Sequence, residues 1–244
     1  MTWLDKRLGK SYLCLTADFL GSKVEWLNAY RSVEKLRNIR TVKFMIYESI
    51  RPEVTVTKPL FPLPLVLFPG GRLPLQIFEA RYLDMVGSCM REGGNFIVTM
   101  SRSEGFADLG CEVSICDFDQ LSNGLLGILA VGERKQQLFN PRQCEDGLWL
   151  ADAADIPMEV SVEVPTDHSG LVELLKSLQV HPAVRGLYSD IDYTDAIEVS
   201  ARLTELLPLD NEVKQSFFEI SDPILRLAEL EVEITRLQIQ GRDA

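Results

Sequence analysis

Residues 60–82 read LFPLPLVLFPGGRLPLQIFEARY, an apolar run cut by prolines and a Gly-Gly step that leads into an amphipathic stretch. Leu60, Leu63, Leu65, Leu67 and Phe68 have the apolar density of a buried strand, predicted over Leu60–Phe68. Pro62 and Pro64 each remove a backbone donor, which places that strand at a sheet edge or at a seam between strands. Pro69-Gly70-Gly71 is a turn with free backbone choice. Leu73–Ile77, with Pro74 inside it, reads as a second short edge strand. From Phe78 to Arg91 the period becomes helical, with Phe78, Tyr82, Met85, Val86 and Cys89 on one stripe, and Gly93-Gly94 stops it.

Working outward, Phe96–Met100, Glu112–Phe118, Leu125–Phe139 and Leu148–Met158 read as strands. Turn signals lie between them at Gly105, Asp108, Gly110, Ser122-Asn123-Gly124 and Asp146-Gly147, and Asn123-Gly124 predicts a hairpin. After Pro165 the period changes from two to 3.6. Leu171, Leu174, Leu175 and Leu178 form one stripe, and Ala196, Val199, Leu203 and Leu206 form a second that Pro208 ends. Asp210–Ile220 is a short helix, and Asp222-Pro223 opens a last one with a capping carboxylate and a first-turn proline. Strands followed by helices define an α+β chain with segregated layers. The expected architecture is a small closed or half-closed β-barrel subdomain with one helix over residues 54–165, then a helical bundle over 166–244. Residues 1–53 form a basic N-terminal extension: an amphipathic helix, a loosely held extension, or the product of a start assigned upstream of Met45.

The chain has 244 residues, 46% hydrophobic and 25% charged, with the composition of a soluble globule. Its formal net charge of −11 is unevenly placed. Residues 1–50 hold nine Lys/Arg against five Asp/Glu (+4), and residues 51–244 hold sixteen against thirty-one (−15). Such an acidic body repels a phosphate backbone, which disfavours nucleic acid. The five cysteines are odd in number and form no CxxC pair, so a reducing cytoplasm is expected. No apolar run approaches the ~20 residues of a membrane span, and no signal-peptide pattern is present.

Motifs of chemistry are sparse. His168 and His181, the two histidines, lack ligand-spaced partners and read as surface or helix-end residues. Gly9-Lys10-Ser11 resembles the end of a phosphate-binding loop, but Leu4 stands where that loop needs its first glycine. Asp190, Asp192 and Asp195 lack the glycine and terminal glutamate of a calcium loop and read as helix capping. There is no GxSxG elbow. No catalytic, cofactor or metal residue is assigned, and the chain is read as a non-enzyme.

The block Pro59–Val86 resembles the opening of the Lon-protease N-terminal, substrate-binding domain. The likeness continues through Gly110–Cys116, Asp119–Gly127 and Val131–Leu138 (VGERKQQL), where Gly132 stands one place earlier than the family glycine. It extends to Leu206-Leu207-Pro208-Leu209, Glu212, Lys214, Gln215, Asp222-Pro223 and Arg226-Leu227. In that order the pieces are specific, and their wording is similar to the stand-alone bacterial branch. The resemblance implies a PUA-like barrel with helices that captures unfolded or client polypeptides, alone or as an adaptor, with a protease as a further partner. It implies no ATPase or peptidase activity. The proposed contact residues are Phe68, Pro69, Arg72, Leu73, Phe78 and Arg81, in a groove between barrel and bundle or along the apolar edge strand. RNA binding by a PUA-like barrel and peptidase activity are the competing readings. The client and the oligomeric state are not fixed by the sequence.

Overall fold

The computed structural model describes residues 55–188 and 190–240. The expected N-terminal extension lies outside the described residues. Six strands follow in chain order: β1 (Val56–Leu63), β2 (Arg72–Ile77), β3 (Phe96–Ser101), β4 (Phe106–Gln120), β5 (Leu126–Gln143) and β6 (Trp149–Asp155). Helix α1 (Ala80–Glu92) crosses between β2 and β3. Helices α2 (Ser169–Gln179), α3 (Pro182–Leu187), α4 (Ala196–Leu206), α5 (Asn211–Glu219) and α6 (Pro223–Gln240) follow the sheet. The strand order is β2-β5-β4-β3-β1-β6, and a β5–β6 pairing closes five strands into a barrel. The long β5 makes this possible. Its first half pairs with β2 and its second half with β6, while β4 runs along both. The result is a barrel with a three-stranded β2–β5–β4 ribbon extending from it.

Strand β1 is a seam and not an edge. Residues 56–60 pair antiparallel with β6, residues 60–63 pair parallel with β3, and only Leu60 takes part in both ladders. Pro59 and Pro62 therefore each sit where the strand has a partner on one side only. The strand ends at Leu63, short of the expected Phe68. Beyond Pro64 the chain becomes a loop whose Val66, Leu67 and Phe68 are buried. β6 likewise stops at Asp155, before Met158. Gly110 is a strand residue and not a turn, because a Cβ there would meet Ile97 Cγ2 at 2.7 Å and the Val98 carbonyl at 2.8 Å. The glycine lets β3 and β4 approach closely.

Local chemistry sets three of the helix boundaries. Gly93 ends α1 in the left-handed region (φ 67°), with its N–H on the Cys89 carbonyl. The Asp195 side chain accepts from Ile197 N and begins α4, and Asp222 Oδ1 accepts from Ile224 N at the start of α6. Asp192 accepts from Thr194, so within the acidic cluster Asp195 caps a helix and Asp192 holds the turn before it. His168 does stand at the entry to α2 but is buried, with Nδ1 2.8 Å from Glu231 Oε1.

The barrel interior holds a small cluster of Leu60, Ile97, Leu138, Ala151 and Ala153. The larger core lies outside the wall. Phe61, Phe96, Val98 and Val113 join Met85 and Val86 of α1 and Leu203, Phe217, Leu227 and Leu230 of the C-terminal helices in one cluster. Tyr82 stacks on Phe61 with centroids 4.1 Å apart.

Candidate functional site

The loop after β1 explains the charges buried beside it. A buried loop must satisfy its backbone without a ladder, so side chains supply the partners. Glu205 Oε1 accepts from Phe68 N at 2.7 Å, an Arg202 guanidinium nitrogen donates to the Pro69 carbonyl at 2.9 Å, and Asn211 Nδ2 donates to the Pro64 carbonyl at 2.7 Å. Tyr188 donates to Glu205 Oε2 at 2.8 Å, and Arg202 pairs with the same carboxylate. Burial raises the Glu205 carboxyl above its ordinary value even against the pull of Arg202. The turn then meets β5 through Gly70 N to Gly132 O and Gly132 N to Gly71 O. A Cβ on Gly132 would fall on the Phe68 carbonyl, which is why this glycine occupies its position in VGERKQQL.

Beneath the turn, Phe68 is 1% exposed. Its ring meets Phe218 edge-on at 5.1 Å, with the Lys135 ammonium 5.7 Å and the Arg226 guanidinium 5.3 Å from its centroid. Both cations converge on Glu159: Arg226 makes a bidentate pair at 2.8 and 2.6 Å, and Lys135 a contact at 2.6 Å. Burial favours the neutral form of Glu159, but Arg226 and Lys135 outweigh it and hold the carboxyl below its ordinary range. Burial lowers the Lys135 ammonium. Lys135 and Arg226 also donate to the Ile220 carbonyl just past α5, where a helix end is electronegative.

A groove of about 160 Å³ opens above this cluster. Phe68 and Pro69, Glu133–Lys135 of β5, Ile156–Glu159, Ile197 and Ala201 of α4, and Arg226 line it. The segment after β6 forms one wall. It turns Glu159 inward, so Met158 and Val160 point out, 85% and 75% exposed, followed by the exposed Val162. Val162 O and Val164 N tie the far end of this strap to Ala196 and Thr194. The groove is smaller than the ~300 Å³ and more of a typical small-molecule site. The strap beside it carries Met158, Val160 and Val162 at every second residue. The groove's charged groups already hold one another.

The six residues named from sequence do not form one surface. Phe68 is groove floor and Pro69 lies beside it. Arg72 lies on the exposed face of β2 and Leu73 packs against the core from the opposite face, while Phe78 is exposed just past the end of the strand. Arg81 pairs with Glu79 at 2.6 Å, donates to the Gly147 carbonyl at 2.9 Å and lies over Tyr82. The free edge of β2 is poorly made for strand addition. Arg72 N lies 3.4 Å from the Tyr188 hydroxyl. Alternation puts Pro74, which has no N–H, on that same outward edge. Met158, Val160 and Val162 were not singled out from sequence, although they alternate in MEVSV. Alternation alone reads as apolar-in, and only the distant Lys135 and Arg226 turn the pattern around. Among the described residues no group of His, Cys, Asp and Glu could hold a metal, and no helix is long and apolar enough to cross a membrane.

A closed barrel whose wall packs on a C-terminal set of helices, with a groove at their junction, defines a PUA-like α+β fold. Residues 57–236 match the model of the ATP-dependent protease La (LON) substrate-binding domain, and the chain belongs to that family. A Lon N-terminal domain protein from Xanthomonas campestris is 32% identical, with a TM-score of 0.63, over 72% of this chain and 98% of that one. The N-terminal domain of the Mycobacterium avium complex Lon protease shares the fold at 17% identity and a TM-score of 0.53, over 72% of this chain and 96% of that one. No curated protein sequence matches.

Proposed function

We propose that the chain is a polypeptide-binding module that holds an extended apolar segment of an unfolded or client protein in the groove and along the strap. The observation that carries this reading is the outward display of Met158 and Val160 beside an apolar groove. Large apolar side chains this exposed, grouped and adjoining a cleft mark interaction sites. Membership of a substrate-binding family supports polypeptide as the ligand. An extended client presents alternate side chains to one face, the spacing at which Met158, Val160 and Val162 stand. Phe68 and Pro69 serve as floor, and the role is binding without peptide cleavage, in the cytoplasm.

The test is fluorescence anisotropy with a labelled, permanently unfolded model protein. Wild type is expected to bind, and Met158→Ser with Val160→Ser to weaken binding at least tenfold while thermal unfolding stays unchanged, because both residues are exposed. Absent binding by wild type, or unchanged binding by the double variant, overturns the assignment. Casein incubated with the protein, with and without ATP, is expected to stay intact.

A further inference from the structure

We propose that the open face of the β2–β5–β4 ribbon is a second docking surface, and that its occupant is a basic amphipathic helix of a protein partner. The register defines two faces. Leu73, Leu75 and Ile77 of β2, with Leu126, Ile128 and Ala130 of β5, belong to the core. The opposite face carries Arg72, Pro74 and Gln76 on one margin and Asp117 and Asp119 on the other, with Phe78 just past the end of β2 and Leu121 just past the end of β4. Between them runs the column Leu125, Gly127, Leu129 and Val131. Both margins are exposed, and Phe78 is 66% exposed. None of Leu125, Leu129 and Val131 belongs to the core cluster. The Leu121 side chain lies against the backbone at Gly127, where a Cβ would meet Leu121 Cδ2 at 2.8 Å.

Charge selects the occupant. Asp117 and Asp119 each give one oxygen to a neighbouring N–H, of Phe118 and Gln120, and neither is paired with Lys or Arg among the described residues. A partner carrying cations beside an apolar stripe satisfies both the column and the acidic margin. The same acids, on a body of net −15, repel a phosphate backbone and an anionic bilayer. Three strands give a face about 10 Å wide, and six residues give it a length of roughly 20 Å. A helix of about 14 residues spans that length. The face lies on the ribbon and shares none of its residues with the groove, so the module can hold a client and a second protein together.

Anisotropy of the full chain with a labelled, helix-forming peptide of about 14 residues, a leucine stripe flanked by Lys and Arg, tests this. Micromolar binding is expected, which Asp117→Asn with Asp119→Asn weakens at least fivefold and which fades as salt rises from about 50 mM to about 500 mM. Equal binding of the same peptide with Glu at every cation, equal binding of a single-stranded RNA, or no effect of the aspartate changes overturns the proposal. The Met158→Ser, Val160→Ser protein is expected to bind the peptide as wild type does. Loss there would assign the peptide to the groove and overturn the second surface while leaving the first.

Discussion

Glu159 joins the two halves of the protein through a single side chain. It lies after the last barrel strand, and its carboxylate faces Lys135 from the barrel and Arg226 from the last helix. All three are buried, so removing the anion leaves two cations without compensation. Breaking a buried pair in this way costs about 3–5 kcal/mol. Glu159→Gln is therefore expected to lose roughly 3 kcal/mol or more in urea unfolding. The loss should depend on pH in a defined sense. The two cations hold the folded carboxyl below its ordinary value of 4.5. Its stabilisation is then complete above that value and is lost as pH falls through the depressed folded value. The gap between wild type and variant should be widest near neutrality and close as the buffer is taken well below the ordinary carboxylate range. A gap that stays constant with pH would show that Glu159 acts through packing alone.

Among the elements, β2 shows how an exposed edge is kept from pairing. The Tyr188 hydroxyl stands against Arg72 N, and Pro74 removes the next outward donor. Pro74→Thr restores an N–H to that edge, and the variant should self-associate more than wild type at equal concentration in sedimentation velocity. An unchanged distribution would mean that another feature protects the strand. This element was legible in the sequence because proline acts locally. The Asn123-Gly124 hairpin, the Gly93 stop and the Asp222 cap were legible for the same reason, since each is decided by a few adjacent residues. The end of β1 was not. Val66, Leu67 and Phe68 read as strand because they are apolar, and what makes them a loop is Glu205, Arg202 and Asn211, more than 130 residues away. The six-residue α3 carries too short a period to stand out. The strap was hidden by the same distance, because its alternation is plain but its inversion depends on cations from two other elements.

At the scale of the whole molecule, barrel and helices have no boundary at which one core ends and another begins. The largest cluster takes Phe96, Val98 and Val113 from the barrel wall and Leu203, Phe218 and Leu227 from the helices. The loop after β1 lies between them and takes its hydrogen bonds from the helical side and its turn contacts from β5. Neither half could keep its apolar surface or its buried charges satisfied if the other unfolded, because Lys135 and Arg226 would lose Glu159 and Phe68 N would lose Glu205. Residues 55–240 are therefore expected to unfold in a single cooperative step, although the sequence reads as two successive subdomains. Trp149 stands on β6 and reports the barrel once Trp3 and Trp26 are replaced by Phe, while far-UV circular dichroism is dominated by the helices. The two urea transitions should coincide in midpoint and slope. Helical signal that persists after the Trp149 environment is lost, or the reverse, would show that the shared core does not couple the halves. The groove would then lie at a hinge and not within a rigid frame.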